Sequence, residues 1–253
     1  ELNQPLIAEG ASWTHYVRGV LQGFRGLGMN LPAFDAVIVS SLPMGAGLSS
    51  SAALECAVAT LVESLLGLTL EPAAKALLCQ TAEHDFAHVP CGIMDQFAST
   101  MGQEGELVFI DCQSQAVELV PLRDETLTVL IANTCVSHQL SDGGYAARRQ
   151  ATEDALAVLG KKSWRAVTPA DVQRHWYQLA EPVNRRARHV VSEIQRTVEA
   201  VECLKLGKWT RLGALMRASH VSLRDDFDVS CEELDLMVEI AEKIGAAGGV
   251  IGA

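Results

Sequence analysis

The sequence predicts an α+β protein in two parts, a first half mixing helices with short strands and a second half dominated by helix. Two observations carry that expectation. Apolar residues recur at spacings of three and four along most of the chain, whereas only four short stretches, all before residue 134, are rich in β-branched residues. With 253 residues, 49% hydrophobic and 20% charged, the chain can also bury one large core or two modest ones. The change of composition near residue 124 marks the expected boundary, dividing 1–123 from 124–253.

Taken in order, Trp13, Tyr16, Val17, Val20 and Leu21 predict an amphipathic helix over 11–23, and Gly26-Leu27-Gly28 a loop after it. The β-branched run over 34–40 predicts a strand that Leu42-Pro43 ends. From 49 to 66, Ala52, Ala53, Leu54, Ala57, Val58, Leu61, Val62 and Leu65 predict an Ala-rich, largely buried helix. Pro72 suits the first turn of a helix over 72–86, broken at Val89-Pro90-Cys91-Gly92 before a short helix over 94–101. Strands follow at 107–111, 116–122 and 126–133. Beyond them the pattern predicts helices over 145–159, 170–179, 183–206, 211–223 and 231–244, the last announced by Ser230 with Glu233 three residues on, a capping-box pattern.

Composition narrows the function. A formal net charge of −11 excludes a broad basic face for nucleic acid. The longest apolar runs, such as 52–62, are interrupted by Glu55 or closed by Glu63 before they could cross a bilayer. No basic-then-apolar signal opens the sequence, so a cytoplasmic protein handling small molecules is expected. Seven scattered cysteines without a Cys-x-x-Cys pair predict reduced thiols.

The chemistry concentrates after the first predicted strand. Gly45-Ala46-Gly47-Leu48-Ser49-Ser50-Ser51 leads into a long helix, and glycines let backbone approach an anion while the first helical N–H groups point at it. The segment lacks the Gly-Lys-Ser/Thr ending of a P-loop and the third glycine of a dinucleotide fingerprint. Local pattern leaves two readings open, an anion-binding loop or an ordinary turn with Ser49 or Ser50 as the helix cap. Similarly, Glu83-His84 fits a solvated helix face, Asp95 a helix cap, and Trp13 and Tyr145 core aromatics. His84 and His88 stand four apart, a possible zinc spacing, but without the intervening general-base Glu or a third ligand. Arg185, Arg186, Arg188 and His189 form a basic run that is expected to pair with acids such as Glu193 and Glu199 in solvent.

A family resemblance separates these alternatives. Pro43-Met44 with the glycine loop and Ala52-Ala53 resembles the second signature motif of the GHMP small-molecule kinases, in its galactokinase form. Ala82-Glu83-His84 and Cys91-Gly92-Ile93-Met94-Asp95-Gln96-Phe97 resemble the segment that holds that family's catalytic aspartate. The likeness continues through Ile110-Asp111-Cys112, Tyr145 with Arg148-Arg149, Arg186-Ala187-Arg188-His189-Val190-Val191 and Ser222-Leu223-Arg224-Asp225-Asp226.

The resemblance implies a ribosomal-S5-like N-terminal domain packed on a ferredoxin-like C-terminal domain, with the active site between them. It further implies that Gly45, Ala46, Gly47, Leu48, Ser49 and Ser50 wrap the triphosphate of ATP and that Trp13 stacks near the adenine. Ser51 and Glu83 would hold Mg²⁺, a hard cation that prefers oxygen ligands. Asp95 would act beside the anomeric hydroxyl of galactose, as base or orienting anion, with Gly92 and Tyr145 also contacting the sugar. The reaction implied is phosphoryl transfer from ATP to galactose; a non-catalytic sugar- and nucleotide-binding relative, or an N-acetylgalactosamine kinase, are the alternatives. A monomer is expected.

The family's first and third motifs are absent, although Val250-Ile251-Gly252-Ala253 resembles the approach to the third. The chain begins with Glu1 and closes on Gly248-Gly249-Val250-Ile251-Gly252-Ala253, so the expectation is the middle of such a kinase, cut at both ends.

Overall fold

In the computed structural model, the described residues are Leu6, 12–122, 124–125, 127–136 and 144–243. The chain divides into two compact units, Glu1–Leu127 and Thr128–Ala253.

The first unit is built on three helices, α1 (Thr14–Gly26), α2 (Ser50–Leu66) and α3 (Pro72–Ala82). Their shared core holds Val20, Leu21 and Phe24 from α1, Cys56, Val58, Ala59 and Val62 from α2, and Cys79 and Ala82 from α3. Gly19 lets α1 approach α3, since a Cβ there would lie 2.7 Å from the Cβ of Ala82. Gly67, in the left-handed conformation at φ 65°, ends α2 as glycine commonly ends helices. One of the polar groups buried in this unit, Glu63, is held by Lys75 at 2.6 Å and by the backbone N–H of Leu70 at 2.7 Å. Helix α3 passes into a five-residue π-helical turn, Glu83–Ala87, and α4 (Met94–Met101) follows, its Phe97 packing with Ala76 and Ile93 in a smaller core. Strands β1 (Glu106–Asp111) and β2 (Ala116–Pro121) pair antiparallel, with Glu106 opposite Pro121.

Two expected strands do not form. Residues 34–40 and 127–133 have no strand assignment, and the two described strands pair only with each other. Val37 and Val39 are 91% and 90% exposed, and Val129, Leu130 and Ile131 are likewise open to solvent. β-Branched composition expresses fit to a pleated surface rather than an independent backbone preference, so without a paired neighbour it makes no strand.

The second unit is helical: α5 (Gly144–Leu159), α6 (Pro169–Arg174), α7 (Val183–Lys205), α8 (Trp209–Asp225) and α9 (Glu232–Lys243), with a 3₁₀ turn at Trp164–Ala166. Ala155, Leu159, Val167, Val172, Leu179, Ala187 and Val191 form its core. Helix α6 is shorter than the 170–179 expected. Its start is fixed by a capping box, with Asp171 N–H donating to Thr168 Oγ1 at 3.2 Å and Thr168 N–H to Asp171 Oδ2 at 3.0 Å. Its end is fixed where His175 Nδ1 meets the Asp171 carbonyl at 2.9 Å, and residues 175–178 then turn ahead of Pro182.

The capping box expected at Ser230 is not made; its hydroxyl donates instead to Asp235 Oδ1 at 2.7 Å. The basic run does form ion pairs, though not with the acids expected. Arg185 meets Glu181 at 3.0 Å and Asp228 at 3.3 Å, and Arg188 grips Asp226, while Glu193 and Glu199 pair with Arg196 and Arg211. Among the described residues no helix is long and apolar enough to cross a membrane.

Candidate active site

The loop ahead of α2 takes positive φ at every second residue: Gly45 at 72°, Gly47 at 70° and Ser49 at 52°. Glycine reaches this region without strain, and a Cβ on Gly45 or Gly47 would meet nothing within 4 Å, so backbone conformation is what asks for glycine here. Ser49 takes the same region against its own preference. It occupies the N-cap position, yet its side chain makes no capping bond; only its carbonyl is used, accepting from Ala53 N–H at 3.0 Å. Ser49 is thus the cap by position, without the side-chain bond that a serine cap ordinarily makes. The backbone N–H groups of Ser50, Ser51 and Ala52 precede the first intrahelical bond and stand at the positive end of a 17-residue helix.

Ser51 lies in the first turn of α2, and Glu55 one turn further along the same face. Glu55 is 0% exposed and Glu83, at the start of the π-helical turn, 3%. Both reach Gln96, the buried residue that follows Asp95 in α4: Gln96 Nε2 donates to Glu83 Oε2 at 2.8 Å and to Glu55 Oε2 at 3.3 Å. Cys91 Sγ donates to the same Glu83 oxygen at 3.4 Å. The π turn, a form frequent at functional sites, thus sets Glu83 against both α2 and α4.

The burial of Glu55 beside Glu83 has an electrostatic consequence. Burial, reinforced by the Glu83 carboxylate, pushes the Glu55 carboxyl up to about 9, so it is protonated at neutral pH. The same two causes raise the Cys91 thiol to about 12 and, with Glu55 adding to them, raise the half-buried Tyr16 phenol. Asp95 sits differently. It is half-buried in the first turn of α4, and the cap position belongs to Ile93 rather than to Asp95.

Of the residues singled out in the sequence, the structure joins Glu83 to the helices carrying Ser51 and Asp95 through the Gln96 amide. Gly92 lies exposed in the turn before α4. Trp13 stands at the N-cap of α1, 61% exposed, and no hydrogen bond or ring contact among the described residues ties it to the loop. Tyr145 belongs to α5, but its side chain lies outside the described residues. His84 Nε2 meets the Cys91 carbonyl at 2.9 Å and His88 is exposed, so they form no joint site. Sequence reasoning passed over Glu55, Gln96 and Cys91 as participants; the one available signal was a glutamate inside the apolar run of α2.

The hydroxyl of Ser51 and the carboxylate of Glu83 offer hard oxygen donors of the kind Mg²⁺ takes. Among the described residues, no group of three His, Cys, Asp or Glu side chains could hold a metal unaided. A cation here would need further oxygens from a ligand, as Mg²⁺ bound through phosphates does.

Comparison with known proteins places this geometry in context. The family described as GHMP kinases N terminal domain matches residues 15–103. Human galactokinase is 48% identical over 229 residues, covering 90% of this chain and 58% of that protein. The bovine galactokinase is 46% identical over 98% of this chain and 62% of its own length. The galactokinase of Thermotoga neapolitana is 39% identical, over 95% of this chain and 67% of its own length. The structure of Lactococcus lactis galactokinase complexed with galactose superposes with a TM-score of 0.82 at 30% identity, over 93% of this chain and 62% of that one. The chain thus spans about three fifths of the length of the mammalian relatives it matches.

Proposed function

The chain belongs to the galactokinases of the GHMP kinase family, and from that premise we propose that it forms the nucleotide- and sugar-binding core of an enzyme transferring the γ-phosphoryl group of ATP to the anomeric hydroxyl of galactose. The observation that carries this reading is the uncapped N-terminus of α2 opening from a loop of alternating positive φ, in the same unit as Glu83 and Asp95.

In the proposed arrangement Gly45 through Ser50 enclose the triphosphate with backbone N–H groups, and Trp13 stacks near the adenine. Ser51 and Glu83 hold Mg²⁺, whose charge offsets that of the phosphates when it is bound. Gly92, Asp95 and Tyr145 orient galactose. The anomeric oxygen forms its bond to the γ-phosphorus as the bond to the β–γ bridging oxygen breaks, and ADP leaves with that electron pair. The hydroxyl proton is received or oriented by the Asp95 carboxylate. Such transfer depends chiefly on positioning and charge stabilisation, which is what these groups supply. Residues 1–123 and 124–253 correspond in this reading to parts of the N- and C-terminal kinase domains of a cytoplasmic monomer.

The test has two stages. Millimolar MgATP should raise the unfolding temperature of the chain, since a ligand that binds only the folded state stabilises it by mass action. A chain extended to the length of its relatives should release ADP on addition of galactose, and Asp95→Ala should abolish that release while ATP binding persists. Binding of both ligands without turnover would favour a regulatory relative, and turnover of N-acetylgalactosamine in preference to galactose would change the substrate.

A further inference from the structure

Glu55 takes no part in the transfer just described, yet it is buried in α2 one turn from Ser51, with its Oε2 3.3 Å from Gln96 Nε2. The same nitrogen donates to Glu83 Oε2 at 2.8 Å. A single amide therefore fastens α2 to the π turn after α3, and its own backbone lies in the first turn of the helix that carries Asp95. Glu55 Oε1 and Gln96 Oε1 are buried without a hydrogen-bond partner among the described residues. Unsatisfied polar atoms in a core cost stability, and an apolar pair would pack there without that cost, so the network calls for a role besides packing.

Resting on the kinase reading above, we propose that Gln96 and Glu55 are positioning residues for Glu83: the Gln96 amide fixes the Glu83 carboxylate for Mg²⁺, and Glu55 fixes the amide. Both donors described for Glu83, the amide nitrogen and the Cys91 thiol, converge on Oε2, which reserves Oε1 for the cation. Ligating carboxylates are commonly held by such outer partners, and loss of a partner weakens metal binding without touching the ligand itself. Gln96 follows Asp95 directly, so the device also sets the distance between the metal carboxylate and the sugar-facing carboxylate.

The experiment compares ATP affinity, by calorimetry on this chain, in EDTA and in excess Mg²⁺; the ratio isolates the contribution of the metal. Gln96→Met keeps the length and removes the amide, and should lower that ratio about tenfold, as outer-shell losses do. Glu55→Leu should lower it too, whereas Glu55→Gln, which keeps an acceptor for the amide, should preserve it. Val62→Ala, a core change on α2 outside the network, should lower thermal stability and leave the ratio unchanged.

A folded Gln96→Met protein with the wild-type ratio would overturn the proposal. Should that variant not fold, the side-chain amide resonances of Gln96 in the ¹⁵N-labelled wild-type chain decide: they must move when Mg²⁺ joins bound ATP, and stationary signals overturn the positioning role. A wild-type chain that binds no ATP under either condition would overturn the kinase reading and this proposal with it. One that binds MgATP while the variants match it would overturn the positioning role alone.

Discussion

Replacing Glu55 by glutamine should stabilise the protein, and by an amount that grows with pH. An ordinary glutamate titrates near 4.5, whereas burial and the neighbouring Glu83 raise Glu55 in the folded chain to about 9. Between those two values the unfolded chain has released the proton that the folded chain keeps. The folded state then binds more protons, so stability falls as pH rises, by about 1.4 kcal/mol per pH unit. Below 4.5 the carboxyl is protonated in both states and contributes no such loss; above 9 the loss is complete. At pH 7 it amounts to roughly 3 kcal/mol, and it grows by about 4 kcal/mol between pH 5 and pH 8. Glu55→Gln keeps the shape and amide partner of the protonated acid but does not titrate. Urea unfolding of both proteins should show near-equal stability at pH 5 and a clear advantage for the variant at pH 8, read as a shift of the midpoint at unchanged slope. A stability difference that is the same at both pH values would show that Glu55 does not hold its proton, and the electrostatic account of the cluster would fall.

Two further substitutions test packing and capping. Gly19→Ala should destabilise the first unit by about 1–3 kcal/mol, as overpacking does, because its Cβ would sit 2.7 Å from Ala82 Cβ and 2.9 Å from Ala82 backbone atoms; a thermal midpoint equal to wild type would mean that α1 and α3 are free to separate. Thr168→Ala removes one half of the capping box on α6 and should cost about 1 kcal/mol by denaturant titration, with no effect on ATP affinity.

The sequence disclosed some parts of this molecule more readily than others, for physical reasons. Helices α2, α4 and α7 could be read because their apolar spacing and the surrounding glycines and prolines are local facts. Residues 34–40 and 127–133 read as strands for equally local reasons, but a strand exists only by pairing, and pairing is not local. The Ser230 pattern misled because the helix begins one residue later than it implied, at Glu232, with the Cys231 carbonyl accepting from Asp235 N–H at 2.9 Å. At the site, Gly45, Gly47 and Asp95 were visible through their chain context. The amide that links Glu55 to Glu83 joins residues 13 and 41 positions away from Gln96, and no window of the sequence contains such a link.

The exposed segment at 34–40 and the one at 127–133 also bear on how the molecule meets its own copies. Each is a short run of high β propensity without proline, and Val37 and Val39, like Leu130, face water almost entirely. Unpaired backbone beside such side chains is a template on which another chain can add as a strand. The formal charge of −11 opposes that encounter through mutual repulsion, and salt screens the repulsion while leaving the template intact. Self-association of this chain through those two segments is therefore expected to rise with ionic strength, which light scattering across a salt series checks.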